Sequence, residues 1–256
     1  MHPVLRDIIT YKKSTLEGIT LSGERRLPAP LELTSLFEND QVNIIAEIKF
    51  SSPKAGQIAV ATSPALLANE YYKSGARAIS VLTEERFFKG SLDYLSEIKK
   101  AYPKLPLLMK DFILEEVQIE KGFEMGADGV LLIAGLHPFK KLQKLYQKVL
   151  ALGMTPLLEI HDQGDLAKAV SLQAPLIGIN NRNLSTMEIS LETSQELVTQ
   201  IPYPCCLISE SGISNSSQVG LLSSLGFNGF LIGSHFMKTA APALELKGLL
   251  EACHAN

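Results

Sequence analysis

The sequence lacks the features that mark membrane, secreted and nucleic-acid-binding proteins. No apolar run approaches the roughly 18 residues that cross a bilayer. The first residues contain no apolar core followed by a small-residue cleavage site. The formal net charge is -3, so the basic excess of a nucleic-acid or membrane-surface protein is missing. We therefore predict partners that include neither nucleic acid nor a membrane.

Cysteine is scarce, and the histidines show no metal-ligand spacing. Cys205 and Cys206 are adjacent within an apolar run, and Cys253 is the third and last cysteine. This arrangement excludes an ordinary disulfide framework or a metal knuckle, and the low number is typical of a reducing compartment. None of the five histidines belongs to an HExxH motif. We predict a cytoplasmic protein with no metal and no cofactor.

The chain has enough apolar material for one large core. Its 256 residues are 46% hydrophobic, and no linker rich in Pro, Gly or Ser divides them. We therefore predict a single domain over residues 1–256.

From residue 43 onward, short aliphatic runs alternate with stretches that have helical spacing. The strand-like runs cover residues 43–49, 76–82, 106–110, 128–134, 154–160, 175–180, 204–210 and 228–233. Eight strands alternating with eight helices require parallel strands and right-handed crossovers. The unit averages about 26 residues, which predicts an α/β fold, the closed (β/α)8 TIM barrel. A doubly wound open sheet is the alternative, weakened because the GxGxxG fingerprint is absent.

Residues 1–42 precede the first strand and form a predicted N-terminal helical extension. Val4, Leu5, Ile8, Ile9 and Leu16 recur at helical spacing. One interpretation is a packing helix that plugs the bottom of the barrel. The other is a helix whose following loop helps to cover a substrate.

Several aliphatic runs end abruptly in a charged or amide side chain. These residues are Glu47, Lys49, Lys110, Glu159, Asn180, Arg182 and Glu210. A charge at the end of a buried strand costs several kcal/mol unless it is paired or used. The carboxyl ends of barrel strands form the active-site face, so these groups converge on one rim. Mixed lysines and carboxylates in a partly desolvated site are suited to acid–base catalysis, which predicts an enzyme.

Two glycine-containing loops follow the seventh and eighth strands. They read SESGIS (209–214) and LIGSHFM (231–237). Loops at these positions, with a short helix after the eighth strand, are a recurrent phosphate site in barrels. We predict that Ser211, Gly212, Gly233 and Ser234 contact a phosphate group.

Other groups near the rim allow two interpretations. The segment SSPKAG (51–56) is either a simple turn or a lid whose Ser52 and Lys54 reach the phosphate. Phe88, Phe112 and Leu131 either belong to the core or line a wall for a flat hydrophobic ring.

The segments EIKFSSP, SVLTEERFFKGSLDYL, LLMKDFI, GADGVLLI, IGINNRNL, SESGI and FLIGS occur here in this order. Together they resemble the indole-3-glycerol phosphate synthase family of tryptophan biosynthesis. The resemblance implies ring closure of 1-(2-carboxyphenylamino)-1-deoxyribulose 5-phosphate, with loss of carbon dioxide and water and without metal or cofactor.

The resemblance also implies roles for the strand-end residues. Lys110 is implied as the general acid, Glu159 as its acid/base partner, and Lys49 as the ligand of the substrate carboxylate. Glu47, Asn180 and Glu210 are implied to position the substrate and the lysines, and Arg182 matches the INNRN turn. Ser52, Ser211, Gly212, Gly233 and Ser234 match phosphate-binding positions.

Two positions depart from the family pattern, and two other functions remain open. Lys54 follows Pro53 where a serine is usual, and His235 stands where a small residue is usual. The alternatives are another phosphate-sugar barrel enzyme, such as phosphoribosylanthranilate isomerase, and a non-catalytic barrel that binds phosphometabolites. The resemblance also suggests contact with other enzymes of the tryptophan pathway.

Overall fold

In a computed structural model, which describes residues 2–23, 26, 28–39, 41–52, 56–57 and 63–254, eight parallel strands close into a barrel. The strands are β1 (Asn43–Ile48), β2 (Ala78–Leu82), β3 (Leu107–Lys110), β4 (Gly129–Ile133), β5 (Thr155–Ile160), β6 (Leu176–Asn180), β7 (Cys206–Glu210) and β8 (Gly229–Ile232). Each strand pairs with the next, and β8 returns to pair with β1. The predicted TIM barrel is confirmed, with every strand within two residues of its predicted bounds.

The strands are apolar on both faces because each is covered on both sides. Ile44 and Ala46 of β1 pack outward among the helices, whereas Ile45 packs into the barrel interior. This alternation follows from the two-residue period of a strand. Continuous apolar runs, rather than alternating ones, are the expected sequence of such strands.

Nine helices accompany the strands within the described residues. They are α1 (Pro3–Thr15), α2 (Pro64–Lys73), α3 (Asp93–Ala101), α4 (Glu116–Glu124), α5 (Phe139–Ala151), α6 (Gln163–Leu172), α7 (Glu192–Val198), α8 (Ser216–Ser224) and α9 (Pro242–His254). One helix follows each strand, and α1 precedes the barrel. None of the helices in the described ranges is long and apolar enough to cross a membrane.

Helix α2 begins with a capping serine and a proline, and it buries one of its faces. The Ser63 hydroxyl accepts a hydrogen bond from the backbone N–H of Ala65, and Pro64 occupies the first turn. Leu66 is an apolar residue of the same helix, but it is 55% exposed. Leu67 and Tyr71 define the buried stripe, and Leu66 lies about 100° away from Leu67 around the helix axis.

The N-terminal extension reaches both ends of the barrel. Helix α1 lies at the rim, which we define as the carboxyl ends of the strands and the loops that follow them. Lys12 Nζ is 2.9 Å from Asp111 Oδ2, directly after β3, and the His2 N–H donates to Leu184 O after β6. The helix therefore does not plug the bottom of the barrel, contrary to one of the two interpretations.

The segment after α1 closes the opposite end, which we call the lower end. Leu33 and Phe37 pack into the barrel interior there. Two inward glycines leave the space: a Cβ on Gly129 would lie 2.5 Å from Leu33, and one on Gly229 would lie 3.1 Å from Phe37. The plug is thus formed by the segment after α1, which the second interpretation assigned to covering a substrate, and not by α1 itself.

A buried ionic group, which we call the lower cluster, ties this end together. It consists of Arg26, Lys99 and Asp128. Asp128 Oδ1 accepts from Arg26 Nη2 at 2.7 Å and from the Leu31 N–H at 3.0 Å. Asp128 Oδ2 accepts from Lys99 Nζ at 2.5 Å and from the Leu107 N–H at 2.8 Å. Four donors satisfy both oxygens of a carboxylate that has no solvent exposure.

Candidate active site

Four alternate strands present a charged residue to the barrel interior at the rim. Glu47, Lys110, Glu159 and Glu210 lie at or near the ends of β1, β3, β5 and β7. Each shares its face with an interior residue of the same strand, as Glu47 does with Ile45. Side chains from alternate strands form one layer in this fold. The uppermost layer is therefore a ring of three carboxyl groups and one ammonium group, at the convergence that the sequence predicted.

Lys110 links two members of this layer. Its Nζ lies 3.0 Å from Glu210 Oε2 and 3.3 Å from Glu47 Oε2. Burial alone would lower the pKa of Lys110, but the charges of Glu210, Glu47 and Glu159 outweigh burial and raise it. Lys110 is thus a protonated donor that faces several carboxylates.

Lys49 joins the layer to the loop after β8. Its Nζ lies 2.7 Å from Glu47 Oε1 and donates to Ser234 Oγ at 2.9 Å. Glu47 therefore bridges the two lysines. Burial would raise the pKa of Glu47, but Lys49 and Lys110 outweigh it and lower that pKa to about 2. We refer to Glu47, Lys49, Lys110, Glu159 and Glu210 together as the rim cluster.

Two glycines that face the barrel interior make room for this cluster, one within β6 and one directly after β8. A Cβ on Gly178 of β6 would lie 2.2 Å from Glu210 Oε1. A Cβ on Gly233, just after β8, would lie 2.4 Å from Glu47 Oε1. Gly233 is therefore required to accommodate Glu47, whereas its phosphate contact remains a prediction.

Glu159 and Glu210 form a coupled pair of carboxyl groups. Burial, followed by the charge of Glu159, raises the pKa of Glu210 above its ordinary value, against the opposing effect of Lys110. Burial would also raise the pKa of Glu159, but His161 and Lys110 lower it. Two neighbouring buried carboxyl groups cannot both ionise cheaply, so burial and their mutual repulsion favour a state in which one of the two is protonated. Glu210 Oε1 accepts no hydrogen bond from the described residues.

Asn180 and Arg182 shape the loop after β6. Asn180 Oδ1 accepts the Arg182 N–H at 3.0 Å, and Arg182 Nη1 donates to Met187 O at 3.2 Å. Burial lowers the pKa of Arg182, and the charge of Glu47 opposes that shift. The guanidinium group therefore lies within the electrostatic field of the rim cluster.

The loop after β7 has a strained backbone at a predicted phosphate position. Ser211 has φ 65° and Gly212 has φ 83°, in the left-handed region that a serine rarely adopts. A Cβ on Gly212 would also lie 2.6 Å from Ile189 Cγ2. Asn181, which is buried and which the sequence reasoning missed, donates to Ser211 O at 3.0 Å and to Ser209 Oγ at 3.0 Å. The second asparagine of INNRN thus holds this turn in place.

Comparison with known proteins decides the family. The model of the indole-3-glycerol phosphate synthase family matches residues 22–249. An indole-3-glycerol phosphate synthase of Campylobacter jejuni strain 81-176 is 46% identical over 210 residues, which cover 82% of this chain and 81% of that protein. One from Geobacillus sp. strain WCH70 is 39% identical over 238 residues, covering 92% of both chains. The chain belongs to the indole-3-glycerol phosphate synthase family.

Solved structures with the same architecture include proteins of low sequence identity. The 3-hexulose-6-phosphate synthase of Salmonella typhimurium has a TM-score of 0.64 at 16% identity, covering 84% of this chain and 99% of that one. KGPDC from Streptococcus mutans has a TM-score of 0.66 at 10% identity, covering 84% and 98%. At these identities the likeness concerns the fold alone.

In this member of the indole-3-glycerol phosphate synthase family, the loops that follow β2 and β3 each carry an aromatic ring, Phe88 and Phe112. The ring centroids of Phe88 and Phe112 are 6.2 Å apart, and both side chains are half-buried. Leu131 is 1% exposed within the barrel interior, so it can contact a ligand only at the floor of the site. The buried carboxylate of Glu84 accepts the backbone N–H groups of Phe87 and Phe88 at 2.7 and 2.9 Å. Sequence reasoning missed Glu84, which fixes the loop that carries Phe88.

The remaining predicted phosphate residues lie on two loops of the rim. Ser52 belongs to the short strand Ser51–Ser52, which pairs antiparallel with Gly56–Gln57. The side chain of Ser52, and Lys54 as a whole, lie outside the described residues. Ser234 precedes a one-turn 3-10 helix, Phe236–Lys238, which confirms the predicted short helix after β8.

Two further rim residues were not assigned a role by the sequence. His161 lies two positions after Glu159, with Nε2 3.1 Å from Glu159 Oε1. Ser80 lies in register with Glu47, and its buried hydroxyl has no hydrogen-bond partner among the described residues. Within those same residues, no three His, Cys, Asp or Glu side chains are grouped to hold a metal ion.

Proposed function

We propose that this chain catalyses the reaction after which its family is named, the formation of indole-3-glycerol phosphate. The substrate is 1-(2-carboxyphenylamino)-1-deoxyribulose 5-phosphate, and carbon dioxide and water are released. The observation that carries the proposal is the rim cluster. Its protonated Lys110 and the Glu159–Glu210 carboxyl pair lie on rigid strands of one layer, as acid–base chemistry requires.

The two ends of the substrate are anions, and the rim offers a separate group for each. The loops after β7 and β8 supply Ser211, Gly212, Gly233 and Ser234 for the phosphate. Lys49 supplies the positive charge for the carboxylate, and Ser234 Oγ lies 2.9 Å from its Nζ. The strained φ of 65° at Ser211 supports a functional role, because strain of this kind is concentrated at ligand sites.

Ring closure is the first chemical step of the proposal. The aromatic carbon that bears the carboxylate attacks the ketone carbon, and the ketone oxygen takes a proton from Lys110 Nζ. This attack leaves a positive charge that is delocalised over the ring and its amino nitrogen. The C–C bond to the carboxylate then breaks, carbon dioxide leaves, and the bonding electron pair restores the aromatic ring. Glu47 and Glu210 hold Lys110 Nζ at 3.3 and 3.0 Å, which fixes the donor in space.

Dehydration completes the indole ring. The new hydroxyl group leaves as water after it gains a proton, and the neighbouring carbon loses a proton to Glu159 as the double bond forms. The enzyme thus supplies two protons and recovers one. The one proton consumed balances the negative charge of the carboxylate that left as carbon dioxide. Phe88 and Phe112 border the flat ring, and Asn180 and Arg182 orient its polar edge.

The test is fluorescence detection of indole-3-glycerol phosphate formed from the purified substrate. We expect turnover by the wild-type protein and a loss of kcat of about 10²–10⁴-fold in Lys110→Ala, which is the range that a positioned acid contributes. Inorganic phosphate should bind both proteins similarly. Lys140→Ala, an exposed lysine on α5, is the matched control.

A near-normal kcat in Lys110→Ala would remove Lys110 from the role of acid. Turnover of phosphoribosylanthranilate, without turnover of the carboxyphenylamino substrate, would instead support an isomerase. Within the same proposal we place the protein in the cytoplasm and expect contacts with other enzymes of the tryptophan pathway.

A further inference from the structure

His161 occupies a position behind Glu159 that the proposed chemistry leaves unused. It follows β5 by one residue and points to the same side as Glu159. Its Nε2 lies 3.1 Å from Glu159 Oε1, and its Nδ1 lies 3.6 Å from Asp165 Oδ2. The imidazole is therefore placed between two carboxylates, with a side-chain exposure of only 7%.

Asp165 is itself fixed by three parts of the chain. It lies in the first turn of α6, and its Oδ2 accepts the backbone N–H of His161 at 3.3 Å. Lys168 Nζ lies 3.2 Å from Asp165 Oδ1 and donates to Ala134 O at 2.7 Å, which ties the carboxylate to the loop after β4. A Cβ on Gly135 would approach Asp165 Oδ2 to 3.0 Å. The carboxylate behind His161 is thus held rigidly.

Neither ring nitrogen of His161 makes an aligned hydrogen bond with the described residues. The 3.1 Å separation from Glu159 Oε1 brings the charges together without the angle of a hydrogen bond. A buried polar ring without an aligned hydrogen bond is costly, and each such group calls for an explanation. Contacts between catalytic groups are often misaligned without substrate and tighten in the complex.

The carboxyl pair needs a group that decides where its proton lies. Glu210 Oε1 lies over Gly178, which is the register neighbour of Glu159 on β6. Lys110 Nζ, 3.0 Å from Glu210 Oε2, favours an ionised Glu210. An ionised Glu159 therefore requires a second cation on its other side. Burial would lower the pKa of His161, but Asp165 and Glu159 raise it to about 10, so the ring supplies that cation.

We propose that His161, with Asp165 behind it, is a positioning residue that keeps Glu159 the ionised member of the Glu159–Glu210 pair. The inference rests on the proposed function, because it prepares Glu159 to accept a proton during dehydration. The charged groups that face the pair are Lys110 from β3 and His161 from the rim, with Asp165 and Lys168 of α6 behind the imidazole.

The experiment compares His161→Gln and Asp165→Asn with the wild-type protein. We expect kcat at neutral pH to fall about 10- to 100-fold in His161→Gln, with KM within about twofold, since the base stays in place but is protonated in most molecules. The acidic limb of the kcat–pH profile should move to higher pH, because Glu159 then holds its proton more tightly. Asp165→Asn should show a smaller shift in the same direction.

The matched control is His235→Gln. His235 also lies on the rim beside a carboxylate, with Nε2 2.9 Å from Glu245 Oε1, but away from the carboxyl pair. The His235→Gln variant should leave the acidic limb of the kcat–pH profile at its wild-type position. A wild-type profile and kcat in His161→Gln would overturn the inference. If His161→Gln does not fold, an unshifted profile in folded Asp165→Asn overturns it instead.

A second measurement does not depend on turnover. Infrared difference spectroscopy detects the C=O band of a protonated carboxyl group. When His161 is present, Glu210→Gln should remove this band at neutral pH, whereas Glu159→Gln should retain it. In the His161→Gln background, the band should be lost with Glu159→Gln. The opposite assignment in the wild-type protein contradicts the inference even if the chain proves inactive on the proposed substrate, which separates it from the proposed function.

Discussion

The barrel contains a buried charged cluster at each end, and the two are built differently. In the lower cluster one carboxylate, Asp128, receives four donors, and both of its oxygens are satisfied. In the rim cluster three carboxyl groups share two lysines, and Glu210 Oε1 has no donor among the described residues. A satisfied buried network stabilises one structure, whereas an incompletely satisfied one retains capacity to bind and transfer protons. Buried charge alone therefore does not identify an active site. A buried charged cluster whose hydrogen-bonding groups are incompletely satisfied does.

The largest expected difference between the clusters is in the effect of Glu159→Gln. We expect kcat to fall about 10²–10⁴-fold with little change in KM, because the amide cannot accept the proton. The melting temperature should not fall, because the substitution removes one of two competing carboxyl groups. Steady-state kinetics and thermal unfolding check both, with Glu196→Gln on the exposed face of α7 as control. A change in KM alone would make Glu159 a binding residue.

Asp128→Asn should produce the reverse pattern. Breaking a buried ionic network leaves Arg26 and Lys99 without their counter-charge, and such changes cost about 3–5 kcal/mol. We expect a lower free energy of unfolding in urea and an unchanged kcat below the unfolding transition. Asp93→Asn, an exposed residue of α3, is the control. A selective loss of kcat in folded Asp128→Asn would mean that the lower cluster contributes to catalysis.

Gly178→Ala sharpens the comparison within the rim cluster. The added methyl group would lie 2.2 Å from Glu210 Oε1 and must displace that carboxyl group. Overpacking of this kind costs roughly 1–3 kcal/mol, and we expect about a 10- to 100-fold loss of kcat as the carboxyl pair separates. Gly220→Ala on α8, whose Cβ would meet nothing within 4 Å, should leave kcat unchanged. Equal kcat in the two variants would show that Glu210 does not need its present position.

The smallest effect concerns pH and stability. Burial and Glu159 raise the pKa of Glu210 from 4.5 to about 8, so between these pH values the folded chain binds more protons than the unfolded chain. The free energy of unfolding should therefore fall as pH rises through this window, by at most about 1.4 kcal/mol per pH unit. Urea titrations at about pH 5, 6.5 and 8 should show that the free energy of unfolding falls less steeply with pH in Glu210→Gln than in the wild-type protein. His161, whose pKa is raised to about 10, adds a fall above 6.5 in both proteins, and only the difference between them reports Glu210. Equal slopes would contradict the assignment.

The sequence predicted the rim cluster and missed the lower cluster because a sequence reveals a site only where a local pattern marks its residues. Glu47, Lys110, Glu159 and Glu210 interrupt apolar runs at strand ends, and the barrel topology brings strand ends together. Asp128 stands before its strand, among ordinary turn residues, and its partner Arg26 is 102 residues away in a segment without a repeating pattern. No local pattern encodes that pairing.

The sequence also could not predict details that depend on the direction of individual side chains. The closeness of Gly178 to Glu210 depends on how a glutamate from β7 bends over β6, and the backbone period does not specify this. Helical spacing alone is compatible with a buried Leu66 or a buried Leu67, and only packing selects Leu67 and Tyr71. Asn181 was missed because it adjoins Asn180, whose position at the end of β6 explained the motif by itself.

The N-terminal extension has a consequence for how the chain folds. Its contacts join Arg26 to Asp128, Leu33 to Thr155 and His2 to Leu184, over separations of 102, 122 and 182 residues along the chain. Contacts between such distant residues form slowly, because the loop entropy must be lost before they are made. During synthesis the residues of this extension therefore emerge well before the residues with which they pair. Closure of the lower end must wait until more than half of the barrel has been made.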